Sequence, residues 1–125
     1  LIAASILHDI GKIDEYDVAL KIDISDEGRF YGHISIGYRL VASKIEEISD
    51  FPKELERKIL HIILSHHGEK QYGSPVEPIF PEAVAFHNID NTDASIQNAK
   101  QSIQNDNQEG DWTYDSIQKR FYYKK

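Results

Sequence analysis

Hydrophobic positions recur at helical spacing in several stretches of this chain, separated by glycine, proline and polar clusters. Leu1 to Leu7 reads as the closing turns of a helix with no N-cap residue and no proline at a first turn, so the expectation is a helix that begins upstream of Leu1. Gly11 suits a tight turn or helix exit. Ala19–Ile24 and Arg29–Tyr31 flank Ser25-Asp26-Glu27-Gly28, which predicts a short β-hairpin near residues 19–31. From Ile34 to Ile48 the apolar residues Ile34, Leu40, Val41, Ile45 and Ile48 follow a helical period. Phe51-Pro52 ends that run, and Pro52 opens the next helix, where its missing N–H costs little. Over 53–67 the pattern repeats with Leu55, Ile59, Ile62 and Ile63, and Gly68 stops it. Gly73, Pro75 and Pro78 mark 69–80 as a loop, and Pro81 starts a helix running to about Ala99.

Residues 102–111 are polar, which predicts a flexible stretch, and Trp112 to Lys125 mixes aromatics with Lys119, Arg120, Lys124 and Lys125. No internal repeat is visible. The expected fold class is all-α, with one domain over residues 1–111 and an aromatic and basic tail over 112–125.

The length of 125 residues fits one domain, and 40% hydrophobic with 28% charged residues is enough for a single core. No run approaches the roughly 18 consecutive apolar residues of a membrane span, so no membrane association is expected and cytoplasm is the default compartment. Cysteine is absent, which excludes disulfides and thiolate ligands. A metal here must be held by His, Asp, Glu or water, a donor set that suits Mn²⁺, Fe, Co²⁺, Zn²⁺ or Mg²⁺. The net charge of −7 argues against broad electrostatic binding of nucleic acid. A phosphate substrate is still compatible, because bound cations reverse the local field.

Six histidines lie at positions 8, 33, 61, 66, 67 and 87. Three have suggestive neighbours, namely His8-Asp9, Gly32-His33 and His66-His67-Gly68, each near an expected helix boundary from which side chains can point across a cleft. A fourth string runs from Phe86-His87 through Asp90 to Asp93 and Ala94, with Asp90 sharing a helix face with His87 and Ala83. A carboxylate on such an apolar face is costly unless it meets a cation or a donor. Imidazole and carboxylate are ligands for divalent first-row metals, and two metals can clamp both oxygens of a phosphoryl transfer. A single histidine on a helix is more often a packed or exposed structural residue. His61 stays with that bland reading, and His87 is either an orienting residue or a satisfied core histidine. An isolated His-Asp pair says little; the ordered set carries the weight. Lys12, following the His-Asp pair, can balance charge on a phosphoryl oxygen; the plainer use is a solvated lysine at a helix end.

The string His8-Asp9-Ile10-Gly11-Lys12 resembles the motif of the HD-domain superfamily of metal-dependent phosphohydrolases. Gly32-His33-Ile34-Ser35-Ile36, Leu64-Ser65-His66-His67-Gly68, Gly73-Ser74-Pro75-Val76 and the run from His87 to Ala94 resemble the HD-domain 3′-5′ exoribonucleases of the YhaM type, as does the tail from Trp112 to Tyr122. The resemblance implies an HD-domain helical bundle holding one or two divalent ions. It carries metal ligation onto His8, Asp9, His33, His66, His67 and Asp90, and a catalytic role onto Lys12 and Asp9. Asp9 would bridge, with His8 and Asp90 on one metal and His33, His66 and His67 on the other. The family pattern also has a histidine on the helix before the HD pair and an N-terminal OB-fold nucleic-acid-binding module, both expected upstream of Leu1.

The leading expectation is hydrolysis of single-stranded RNA or DNA from its 3′ end, releasing 5′-mononucleotides. Tyr72, Tyr122 and Tyr123 are candidates for stacking on bases, with core packing the plainer use of each. Two alternatives stand beside it. One is a nucleotide or cyclic-nucleotide phosphohydrolase, although no Gly-Tyr-Pro string follows His66-His67, which argues against the cyclic dinucleotide branch. The other is a metal-retaining regulatory or interaction domain without activity. A homo-oligomer is compatible with all three.

Overall fold

A computed structural model describes residues 1–125. The architecture is helical, as expected, with two small antiparallel hairpins. The elements run α1 (Ile2–Leu7), α2 (Lys12–Glu15), β1 (Tyr16–Val18), β2 (Ile22–Ile24), α3 (Asp26–Glu46), α4 (Lys53–Ser65), α5 (Pro81–Asn105), β3 (Trp112–Asp115) and β4 (Arg120–Tyr123), with a 3-10 turn at Lys70–Tyr72. Two compact units divide the chain at Leu1–Asn88 and Ile89–Lys125.

In the first unit, two clusters of side chains form the core. Val41 and Ile45 of α3 meet Leu60 and Ile63 of α4, with Leu7 and Ile10 packed against them. Ala4 of α1, Ile62 of α4 and Ala83 and Phe86 of α5 form the second cluster, with Phe80 at its edge. The helical periodicity of 34–48 and 53–67 therefore selects the core face, except that Ile48, which lies past the end of α3, and Leu55, in the first turn of α4, stay exposed.

The early hairpin differs in place from the sequence expectation. It pairs Tyr16 with Ile24, Asp17 with Asp23 and Val18 with Ile22, while residues 26–31 are helical. The reason is capping. The Ser25 hydroxyl accepts the Gly28 N–H at 2.9 Å and donates to the Asp14 carbonyl at 2.6 Å, so 25–28 open a helix instead of turning a hairpin. Helix α3 then breaks at Gly32, whose φ of 65° and ψ of 155° are not helical.

In the second unit, the later part of α5 extends to Asn105, past the expected end near Ala99, so residues 102–105 are helical. The tail forms a hairpin with Trp112 opposite Tyr123 and Tyr114 opposite Phe121, and these four rings line its exposed face. Thr113 is buried on the other face, and Asp115 accepts a hydrogen bond from Ser102 of α5. No helix is long and apolar enough to cross a membrane.

Candidate metal centre

His8 caps the C-terminus of α1, and Asp9 follows in the turn that leads to α2. That turn lies hard against α3. A Cβ on Gly11 would stand 2.0 Å from the His33 carbonyl oxygen and 2.6 Å from the Gly37 nitrogen. Gly11 is therefore required for close approach and not for an unusual dihedral, since its φ is −65°. The approach brings Asp9 to His33. His66 caps the C-terminus of α4 and is buried, with His67 next to it, so the end of α4 supplies the remaining pair.

Around Asp9 the side chains divide. Oδ1 faces Nε2 of His33 at 3.6 Å and Nε2 of His66 at 3.7 Å. Oδ2 faces Nε2 of His8 at 3.4 Å and takes the Lys12 ammonium at 2.6 Å. His33, His66 and His67 each offer a ligand atom, all within 4.8 Å of one another.

Each ring's other nitrogen is held by an acceptor. Nδ1 of His8 meets the Ser5 carbonyl at 3.1 Å, that of His66 the Ile63 carbonyl at 2.8 Å, and that of His67 the Tyr72 carbonyl at 2.8 Å. Nδ1 of His33 meets Oε1 of Glu15 at 3.2 Å. An acceptor at Nδ1 assigns the ring proton there and leaves the Nε2 lone pair facing inward. This is the pattern of metal-ligating histidines, whose outer nitrogen is fixed by a carbonyl or carboxylate.

The inner atoms fit a divalent cation. Asp9 Oδ1, His33 Nε2 and His66 Nε2 are buried without any hydrogen-bond partner. Lone pairs converging on a buried carboxylate oxygen are unfavourable unless positive charge stands between them. Burial opposes the charge of Asp9, but His66 and His8 with a proton on Nε2, together with the Lys12 ammonium, outweigh it and hold the carboxyl far below the usual carboxylate range; a cation takes the place of those protons when the rings are neutral. Burial pushes His67 below the ordinary imidazole value; the Tyr72 carbonyl and Asp9 act against that, while His66 and His33 reinforce it. A neutral imidazole is the form that binds metal.

The other sequence candidates divide. Lys12 pairs with Oδ2 of Asp9. His61 lies outside the cluster, with its Nε2 accepting the Ile79 N–H at 3.3 Å and its ring against Phe80. His87 donates from Nδ1 to the His66 carbonyl at 2.8 Å, so it braces the turn after α4. Tyr72 acts on His67 through its backbone carbonyl, while its side chain is exposed. Tyr122 is half-buried and Tyr123 exposed in the hairpin of the second unit. Asp90 is half-buried on α5, also within the second unit. Sequence reasoning missed Glu15 altogether, because it lies 18 residues from His33 and no short-range spacing links them.

Residues 1–95 match the family described as HD domain. The 3′-5′ exoribonuclease YhaM of Bacillus licheniformis is 42% identical over 96 residues, covering 77% of this chain and 30% of that protein. The proteins of the same name from Shouchella clausii and Bacillus subtilis are 42% and 40% identical over the same length and with the same coverage. The chain thus aligns with about 30% of the length of the curated relatives it matches. No solved structure matches it.

Proposed function

The chain belongs to the HD domain family, and from that premise we propose that it is the catalytic core of a metal-dependent phosphodiesterase acting on single-stranded RNA or DNA from the 3′ end. The observation that carries this reading is the group of buried, unpartnered atoms on Asp9, His33 and His66, with the lone pairs of both imidazoles turned towards one carboxylate. The relatives, which are 3′-5′ exoribonucleases, suggest the substrate class.

His33, His66 and His67 would hold one divalent ion with Asp9, and His8 would serve a second on the Oδ2 side of Asp9; Asp90 is a ligand candidate on the resemblance alone. The ions would supply Lewis acidity toward the phosphoryl oxygens and bring the pKa of water down toward ~7. Asp9 would serve both ions, a reading supported by its two oxygens facing different histidines. Lys12 pairs with Oδ2 at 2.6 Å and would neutralise charge on a phosphoryl oxygen in the same way. On the resemblance set out above, an OB-fold module upstream would grip the strand, which accounts for an acidic catalytic core.

The test is digestion of a 5′-labelled single-stranded oligoribonucleotide with Mn²⁺, Co²⁺ or Mg²⁺. The expected result is a ladder that shortens from the 3′ end, with 5′-mononucleotides released and Asp9→Ala inactive. Turnover of free nucleotides without any ladder would assign the chain to nucleotide hydrolysis. Metal binding with no hydrolysis of any phosphoester would leave a regulatory domain.

A further inference from the structure

We propose that Glu15 is a positioning residue for the metal centre, whose carboxylate locks His33 in the tautomer that turns Nε2 towards Asp9. The inference rests on the metal-centre reading above. Oε1 of Glu15 accepts twice from the same residue, from the His33 backbone N–H at 2.9 Å and from ring Nδ1 at 3.2 Å. The two side chains are 12% and 13% exposed, so little water competes for these bonds.

Three features hold the carboxylate in place. Glu15 closes α2, and its carbonyl accepts the Ser25 N–H at 2.9 Å. Gly28 packs directly on it, since a Cβ there would stand 2.4 Å from the Glu15 carbonyl oxygen and 3.0 Å from its Cγ. The break in α3 at Gly32 immediately precedes His33 and presents the His33 amide to Glu15. An ionised carboxylate only accepts, so it selects the Nδ1–H tautomer and leaves the Nε2 pair free.

His33 differs in this from its partners. The Nδ1 atoms of His66 and His67 are held by the backbone carbonyls of Ile63 and Tyr72, which no side-chain substitution removes. His33 is held by a side chain. Without Glu15, its ring has no partner on the outer side and is free to exchange which nitrogen faces Asp9.

The experiment uses the full chain with Glu15→Ala and Glu15→Gln. Imidazole ¹H–¹⁵N spectra of the metal-free protein report the His33 tautomer, and calorimetry reports Mn²⁺ affinity. Glu15→Ala should shift His33 from one tautomer to a mixture while the His66 and His67 signals and the circular dichroism hold. Its Mn²⁺ affinity should fall by roughly 10–100-fold, the usual effect of losing an outer partner of a metal ligand. Glu15→Gln keeps an acceptor oxygen without the charge, so it should retain the tautomer and lie between wild type and Glu15→Ala in affinity. A folded Glu15→Ala with the wild-type tautomer or wild-type affinity would overturn the proposal. Should Glu15→Ala not fold, Glu15→Leu, which keeps the bulk and removes the acceptor, decides: a mixed His33 tautomer with reduced affinity supports the role, and the wild-type tautomer overturns it. A wild-type chain that binds no Mn²⁺ would refute the metal-centre reading separately, and the metal-free tautomer measurement would still decide the role of Glu15.

Discussion

Nε2 of His33 faces Oδ1 of Asp9 across 3.6 Å, and neither buried atom has a hydrogen-bond partner. The distance exceeds that of a hydrogen bond. A cation between them would relieve both atoms at once, and its binding would stabilise the fold. At 100 times its dissociation constant, a ligand that binds only the native state adds about 2.7 kcal/mol. Mn²⁺ should therefore raise the thermal midpoint of the wild type and leave that of Asp9→Ala nearly unmoved. Equal shifts in both proteins would remove Asp9 from the site.

Gly32 carries a φ of 65° and a ψ of 155°, a region essentially confined to glycine. No atom lies within 4 Å of where a Cβ would be, so the requirement is conformational and not steric. Gly32→Ala should destabilise the chain by about 1–3 kcal/mol. It should also weaken Mn²⁺ binding, because the break orients the His33 amide. Urea unfolding and metal titration of the same variant measure both effects.

Gly68 has a φ of 83°, and a Cβ there would lie 2.3–2.7 Å from atoms of the His87 ring. Gly68→Ala is expected to cost more than about 1 kcal/mol, through the backbone and the clash together. Adding His87→Ala removes the clash but leaves the backbone strain. The double variant should thus be less destabilised than the sum of the two single changes, and simple additivity in urea melts would contradict the contact.

Lys12 touches only the Oδ2 side of Asp9 among the site oxygens described, at 2.6 Å. Lys12→Ala should lower kcat by roughly 10²–10³, the range seen when one donor to a developing charge is removed. Mn²⁺ stabilisation of the fold should persist, because the ligand set is intact. Loss of Mn²⁺ binding in Lys12→Ala would make Lys12 a structural and not a catalytic group.

Burial lowers the titration of both His61 and His67 below the ordinary 6.5. The unfolded chain then takes up protons at a higher pH than the folded one does. Their contribution to stability is complete above about pH 6.5 and is lost as pH falls through the window beneath it. The metal-free chain should have a lower urea midpoint at pH 5.5 than at pH 7.5. An unchanged or higher midpoint at pH 5.5 would show that these histidines are not buried neutral.

The helical class and the run of α3 and α4 were legible from the sequence, and its motifs named His8, Asp9, Lys12, His33, His66, His67 and Asp90 as candidates through their resemblance to the HD-domain superfamily. Hydrophobic periodicity reports which face of a helix is buried, and glycines beside histidines mark the helix ends where ligands gather. The position of the first hairpin was not legible, because Ser25 can open a helix or turn a hairpin and only its bond to the Asp14 carbonyl decides between them. The second hairpin was hidden for a related reason. Its strands are four residues each, too short for alternation to stand out. The motifs along the chain named the candidate cation ligands through their resemblance to the HD-domain superfamily. Tertiary packing alone decided which nitrogen of each ring faces Asp9, that Gly11 serves contact with α3, and that Glu15 holds His33, because partners 18 residues apart leave no periodic trace in the sequence.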